Sequence, residues 1–180
     1  MPDFPKLFIP GPTHVPDDIL EVFSYPQIGH RTPEISELID CITLGIQEIL
    51  YTKSDIYLMS HAATGLWEVG TKNSVKNGVL HAVNGAFSSK WALSSELNGF
   101  KCKVIDFEWG AGIDVDTVDK SLSSGKFDVF AMVHNETSTG AMSDIGAIGE
   151  VVKKFPNTHL LVDAVSSMAG VKIDVDVIGV

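Results

Sequence analysis

Three short segments carry the residues that could do chemistry in this chain. In His159-Leu160-Leu161-Val162-Asp163-Ala164-Val165-Ser166-Ser167, an apolar run ends in a lone carboxylate and opens into a small, hydroxyl-rich stretch. A charge at the end of a buried strand is costly unless something meets it. Asp163 could accept from a ribose hydroxyl, bind a metal, pair with a protonated heterocyclic nitrogen, or cap its own loop. No other acid or histidine clusters nearby in sequence, which argues against the metal. The second segment, HNETSTG at 134–140, gathers imidazole, amide, carboxylate and hydroxyls after the apolar run 129–133. That is more polar chemistry than a turn requires, with a solvated loop as the competing reading. The third, SHAATG at 60–65, sets small residues before a helix, where backbone N–H groups and the helix dipole attract an anion such as phosphate. Its plainer reading is a strand–helix turn capped by Thr64. Phe87 begins a helix after a strand and could stack on a planar cofactor, although a core aromatic is the commoner explanation. His14, His61 and His81 read as surface or packing residues.

These segments need elements to position them. Apolar runs at 56–59, Val79–Val83, 103–107, 128–133 and 160–163 read as strands. Helices are predicted from about Leu66, from Phe87 through Trp91 to a stop at Gly99, near 116–122 and over 144–155. Strands apolar on both faces and alternating with helices predict a three-layer α/β/α fold with a mostly parallel sheet. In such sheets ligands sit beyond the carboxyl ends of the strands, where all three segments fall. Ahead of this lies a Pro- and Gly-rich segment over residues 1–25, read as an extended arm, with the domain proper over 26–180. Thr32-Pro33-Glu34 predicts a helix start with a hydroxyl cap, and Ile35, Leu38, Ile39, Ile42, Ile46, Ile49 and Leu50 follow as one stripe.

Composition bounds the function. The chain has 180 residues and a formal net charge of −10, with Arg31 as its only arginine. No basic stripe exists to neutralise a nucleic-acid backbone. No apolar run reaches membrane-spanning length, and the start lacks the pattern of a signal peptide, so a cytoplasmic setting without a membrane partner is expected. Cys41 and Cys102 stand apart with no CxxC partner, which points to neither a zinc site nor a disulfide framework. The loop at 60–65 lacks GxGxxG and GxxxxGK[ST], which weakens a nucleotide-binding reading.

Taken together, IPGPTHVPDDIL, IGHRTPE, SHAATGLWE, VNGAFSSKWA, VHNETSTGAMSDI and LLVDAVSSMAG, in this order along nearly the whole chain, resemble the class V aminotransferases of pyridoxal-phosphate fold type I. The branch is that of alanine–glyoxylate and serine–pyruvate aminotransferases. The resemblance implies pyridoxal 5′-phosphate as cofactor and an amino group exchanged between a small amino acid and a 2-oxo acid such as glyoxylate or pyruvate. It implies that Asp163 pairs with the pyridine nitrogen and keeps it protonated, so that the ring withdraws electrons from the carbanion formed at the substrate. On that reading the carboxylate's partner is a cofactor rather than a side chain. Ala62, Ala63 and Thr64 would hold the phosphate, Phe87 would lie over the ring, Thr137 would approach the ring oxygen, and Val165 would pack on the opposite face. Two departures stand out. The family's phosphate loop is often Ser-Gly-Ser-Gly-like, whereas this chain has Ser60-His61-Ala62-Ala63. The family's Schiff-base lysine, in a Gln-Lys pair, falls beyond the position of Val180, as does the small domain with its substrate-gripping arginine. Lys90 and Lys172 are not placed to replace that lysine. The chain is therefore expected to be the N-terminal part of a large domain, inactive alone, forming a homodimer through an arm at residues 2–16 or completed by a C-terminal half. A non-catalytic binding or assembly protein that keeps the fold is the alternative.

Overall fold

A computed structural model describes residues 5–180; the first residues of the expected arm, 1–4, lie outside the described residues. The chain divides into two compact units, Met1–Ile46 and Gln47–Val180. In the first, the arm is not extended throughout. Helix α1 (Asp17–Val22) interrupts it, with Asp17 and Asp18 in the first turn, where acids offset the helix dipole. Helix α2 (Pro33–Leu50) starts at the proline, as the sequence predicts, and runs on into the second unit. Thr32 stands just ahead of it, its carbonyl accepting from the Ser36 N–H at 3.4 Å and its hydroxyl donating to the Gly29 carbonyl at 3.1 Å.

In the second unit the order is α3 (Ala63–Ser74), β1 (Val79–Val83), α4 (Ala86–Leu97), β2 (Cys102–Asp106), α5 (Val115–Leu122) and β3 (Val129–Val133). The short strands β4 (Asn135–Glu136) and β5 (Ala141–Met142), helix α6 (Ile145–Val152), strand β6 (His159–Asp163) and helix α7 (Val175–Ile178) follow. Four strands form a parallel sheet in the order β2-β1-β3-β6. The α/β class expected from the alternating runs is observed.

The pleat sorts the strand side chains into two cores. Val79, Val129, Ala131 and Val133 point to one face and pack with Trp67 of α3 and Trp91 of α4. Leu80, Ala82, Phe130 and Met132 point to the other, against Val118 and Leu122 of α5, Ile148 and Val152 of α6 and Ile178 of α7. Three layers result because each strand is apolar on both sides and needs helices on both.

Two local expectations fail. Residues 56–59 form no strand. An apolar run becomes a strand only when a ladder partner exists, and this one pairs with neither β2 nor β6; Tyr57, Leu58 and Met59 are exposed. Helix α3 begins at Ala63 rather than near Leu66, with Ala62 and not Thr64 at its N-cap.

Candidate functional site

The loops after β3 and β6 lie side by side because the strands pair in register, Val133 opposite Asp163. They are knitted together beyond the sheet. The His134 N–H donates to the Asp163 carbonyl at 2.9 Å, the Asn135 amide donates to Ser166 Oγ at 2.8 Å, and the Ser166 hydroxyl donates to the Asn135 carbonyl at 2.8 Å. His134 Nδ1 and Ser167 Oγ form a further buried bond at 3.0 Å. Burial holds the His134 imidazole below its usual pKa, with the Asp144 carboxylate and a Ser143 backbone bond opposing.

HNETSTG is not a solvated loop. Asn135-Glu136 pairs antiparallel with Ala141-Met142 as a small ribbon. The turn closes on Gly140 at φ +74°, a left-handed conformation that favours glycine. Glu136 is completely buried, and among the described residues no cation meets it. Its Oε1 instead accepts from the Phe87 N–H (3.2 Å), the Ser138 N–H (3.3 Å) and the Ser138 hydroxyl (2.7 Å), and its Oε2 from the Ser88 N–H and hydroxyl (both 2.9 Å). Burial pushes this carboxyl up, but the Ser88 N–H, the Ser138 and Ser88 hydroxyls and the Phe87 N–H outweigh it and hold it below the usual value. The carboxylate also sits on the N-terminus of α4, where the helix dipole favours an anion. A Cβ at Gly85 would overlap the Glu136 and Ser138 side chains, so glycine is required for this close approach.

Asp163 stands differently. It is half-buried and lines a cavity of about 450 Å³ together with Ala63, Trp67 and Val165. Residues from both faces of β6 line this cavity, from Leu160 to Asp163, so it runs along the strand's free edge. The Trp67 indole N–H, a neutral donor, meets the Asp163 Oδ2 at 2.8 Å. The Val165 N–H donates to Oδ1 at 2.9 Å. An ionised carboxylate has about four acceptor sites, so two donors leave it capacity.

Of the residues singled out from sequence, Ala63, Asp163 and Val165 share this cavity. Val165 is 69% exposed and contributes its backbone to the carboxylate. Ala62 caps α3 without a side-chain bond, and the Ala63 and Thr64 N–H groups meet no acceptor among the described residues. Phe87 is 39% exposed, with the Lys90 ammonium 5.3 Å from its ring centroid, and it does not line the cavity. Thr137 is half-buried and also outside the lining. No lysine lines the cavity among the described residues; Lys172 lies 4.4 Å from the Tyr51 ring centroid. A larger depression of about 790 Å³ opens at the N-terminal ends of the strands, beside Lys76, Lys101 and Lys126, and none of the sequence-derived site residues reaches it.

Trp67, Glu136 and Gly85 are the residues that sequence reading missed as parts of this arrangement. The one available signal for Trp67 is its place four residues after Ala63, on the same face of α3.

The family model Aminotransferase class-V matches residues 42–180. The chain belongs to the class V aminotransferases. The chain is 36% identical over 177 residues to an uncharacterised aminotransferase of Methanocaldococcus jannaschii, covering 94% of itself and 45% of that protein. It is 32% identical over 181 residues to the L-aspartate–glyoxylate aminotransferase of Paracoccus denitrificans, covering 97% and 46%. The crystal structure of alanine–glyoxylate aminotransferase from Nostoc sp. superposes with a TM-score of 0.91 at 30% identity, over 99% of this chain and 48% of that one. The chain thus spans about half the length of the relatives it matches.

Family membership implies pyridoxal phosphate, and the donor set here is suited to it. An uncapped helix N-terminus with free N–H groups suits a phosphate. A carboxylate with unused lone pairs on the same cavity suits a protonated ring nitrogen.

Proposed function

We propose that this chain forms the ring- and phosphate-binding part of an aminotransferase that moves an amino group between a small amino acid and a 2-oxo acid such as glyoxylate or pyruvate. The covalent lysine anchor and the substrate-binding arginine come, on this reading, from outside these 180 residues. The observation that carries the reading is Asp163: a carboxylate at the C-terminal end of β6, on a cavity shared with the start of α3, met among the described residues by two neutral donors.

When bound, the cofactor supplies an electron-withdrawing ring that stabilises negative charge at the substrate's α-carbon. The chain's own residues act around it. Asp163 accepts a proton-bearing nitrogen, and its charge favours the protonated form. The free N–H groups of Ala63 and Thr64 receive the phosphate, reinforced by the dipole of the twelve-residue helix α3. Glu136 binds no ligand. It ties the turn at Ser138 to the start of α4, and so fixes where Phe87 and Thr137 stand. The chain's operation as a homodimer or with a complementing half, within the cytoplasm, belongs to the same reading, as does a boundary near residue 25 between arm and domain.

Thermal shift with pyridoxal phosphate against NAD tests the reading, because a ligand stabilises only a fold that binds it. A rise in Tm with pyridoxal phosphate alone is expected, and no rise with it would refute the proposal. With alanine and glyoxylate added, the chain by itself should form no pyruvate above the non-enzymatic rate. Borohydride trapping of the cofactor on one chain lysine would overturn the placement of the anchor elsewhere.

A further inference from the structure

We propose that Trp67 is a positioning residue for the Asp163 carboxylate, holding it in one orientation toward the cavity through the indole N–H. The inference rests on the reading that the cofactor's ring nitrogen meets Asp163. It concerns a residue 96 positions away in the chain whose side chain reaches that carboxylate at 2.8 Å.

Three observations carry it. The first is the division of labour at the carboxylate. Oδ2 has the indole as its side-chain donor and Oδ1 has the Val165 N–H, so one donor from a helix and one from the loop fix both oxygens. The terminal torsion of an aspartate is broad and roughly two-fold, and among the described residues the indole is the one donor that restrains Oδ2. The second is the rigidity of the donor. Trp67 is 6% exposed and stacks on Trp91 with centroids 5.8 Å apart and planes 10° from parallel. Thr71 bridges the pair, donating to the Trp67 carbonyl at 2.7 Å and accepting from the Trp91 indole at 3.4 Å. His81 closes the far side, edge-on to Trp91 and bonded to Ser95 Oγ at 3.0 Å. The third is the donor's chemistry. An indole N–H donates only and carries no charge. It orients the carboxylate without neutralising it, whereas a lysine or arginine in its place would compete with a protonated ring nitrogen.

A core tryptophan that merely packs would show the same burial and stack, so the test must read the ring nitrogen. The probes are pyridoxamine 5′-phosphate, which has no aldehyde to react with lysines, and its 1-deaza analogue, in which C–H replaces the ring nitrogen. Binding of each to the full chain and to Trp67→Phe is measured by calorimetry. The wild-type chain should prefer the nitrogen-bearing probe. Trp67→Phe keeps an aromatic ring in the stack; it should lose about tenfold in affinity for that probe, the size expected for a hydrogen bond to a charged group, and keep its affinity for the analogue. Equal losses for both probes would make Trp67 a packing residue and overturn the inference, as would a variant with the full preference intact. A wild-type chain that binds neither probe, or both alike, sinks the cofactor reading and the inference with it. The unmutated chain gives a second measurement should the variant fail to fold. The Trp67 Nε1–H resonance should move on adding pyridoxamine 5′-phosphate and stay put with the deaza probe. Identical responses to the two count against the inference.

Discussion

The turn after β3 and the loop after β6 each place one carboxylate beyond the sheet, on neighbouring strands, and the two are treated in opposite ways. Glu136 is fully buried and accepts five hydrogen bonds within its own surroundings. Asp163 is half-buried, accepts two, and faces a cavity. Among the described residues neither is paired with a cation. The lesson is that saturation, more than charge or burial, separates a carboxylate that builds the scaffold from one with capacity left for a ligand. A carboxylate whose acceptor sites are all filled has nothing further to offer.

The comparison can be broken most directly at Glu136. Glu136→Gln puts an amide donor against a cluster of donors and should destabilise the chain by about 4 kcal/mol in urea unfolding, as the loss of one partner in a buried charged network does. A cost below about 1 kcal/mol would mean that the network is not the scaffold described. Acid sharpens the same point, once a second group is separated out. Burial lowers the His81 imidazole to about 4 from its ordinary 6.5. The unfolded chain therefore binds this proton first, and stability complete above about pH 6.5 falls by up to about 3 kcal/mol as pH drops toward 4. Glu136, also depressed, adds a loss of the same sign that begins near the ordinary glutamate value and continues as pH falls through its folded value. His81→Gln should flatten the upper part of the acid limb in a pH series of urea midpoints and leave the lower part.

Gly85→Ala is a smaller perturbation of the same scaffold. The added methyl must displace Glu136 and Ser138, at a cost of about 2 kcal/mol, measurable by thermal melting. Smallest of all is Asp163→Ala, which should cost less than about 1 kcal/mol in the unliganded chain, since it removes only two hydrogen bonds beside an open cavity. A large destabilisation by Asp163→Ala would collapse the distinction between the two carboxylates.

Much of the frame is legible in the residues. Val79–Val83, Val129–Val133 and the run ending at Asp163 are apolar on both faces, and that local pattern is enough to place buried parallel strands and the ligand-facing end of the sheet. The segment at 56–59 shows the limit, because the same apolar pattern yields no strand without a ladder partner. HNETSTG shows another: its composition is rich in polar chemistry, but composition cannot say that Glu136 and Ser138 turn to the start of α4 and accept its N–H groups.

What the sequence determined by itself is the alternation of elements, the family, and the three segments brought to one end of the sheet. All of these are local patterns, fixed by side-chain periodicity and the identity of small and polar residues. What only the tertiary structure decided is which groups meet across long stretches of chain: Glu136 with Ser88 across 48 residues, and Asp163 with Trp67 across 96. Hydrogen bonds of that kind depend on helix packing angles and strand register together, and no spacing along a single segment encodes them.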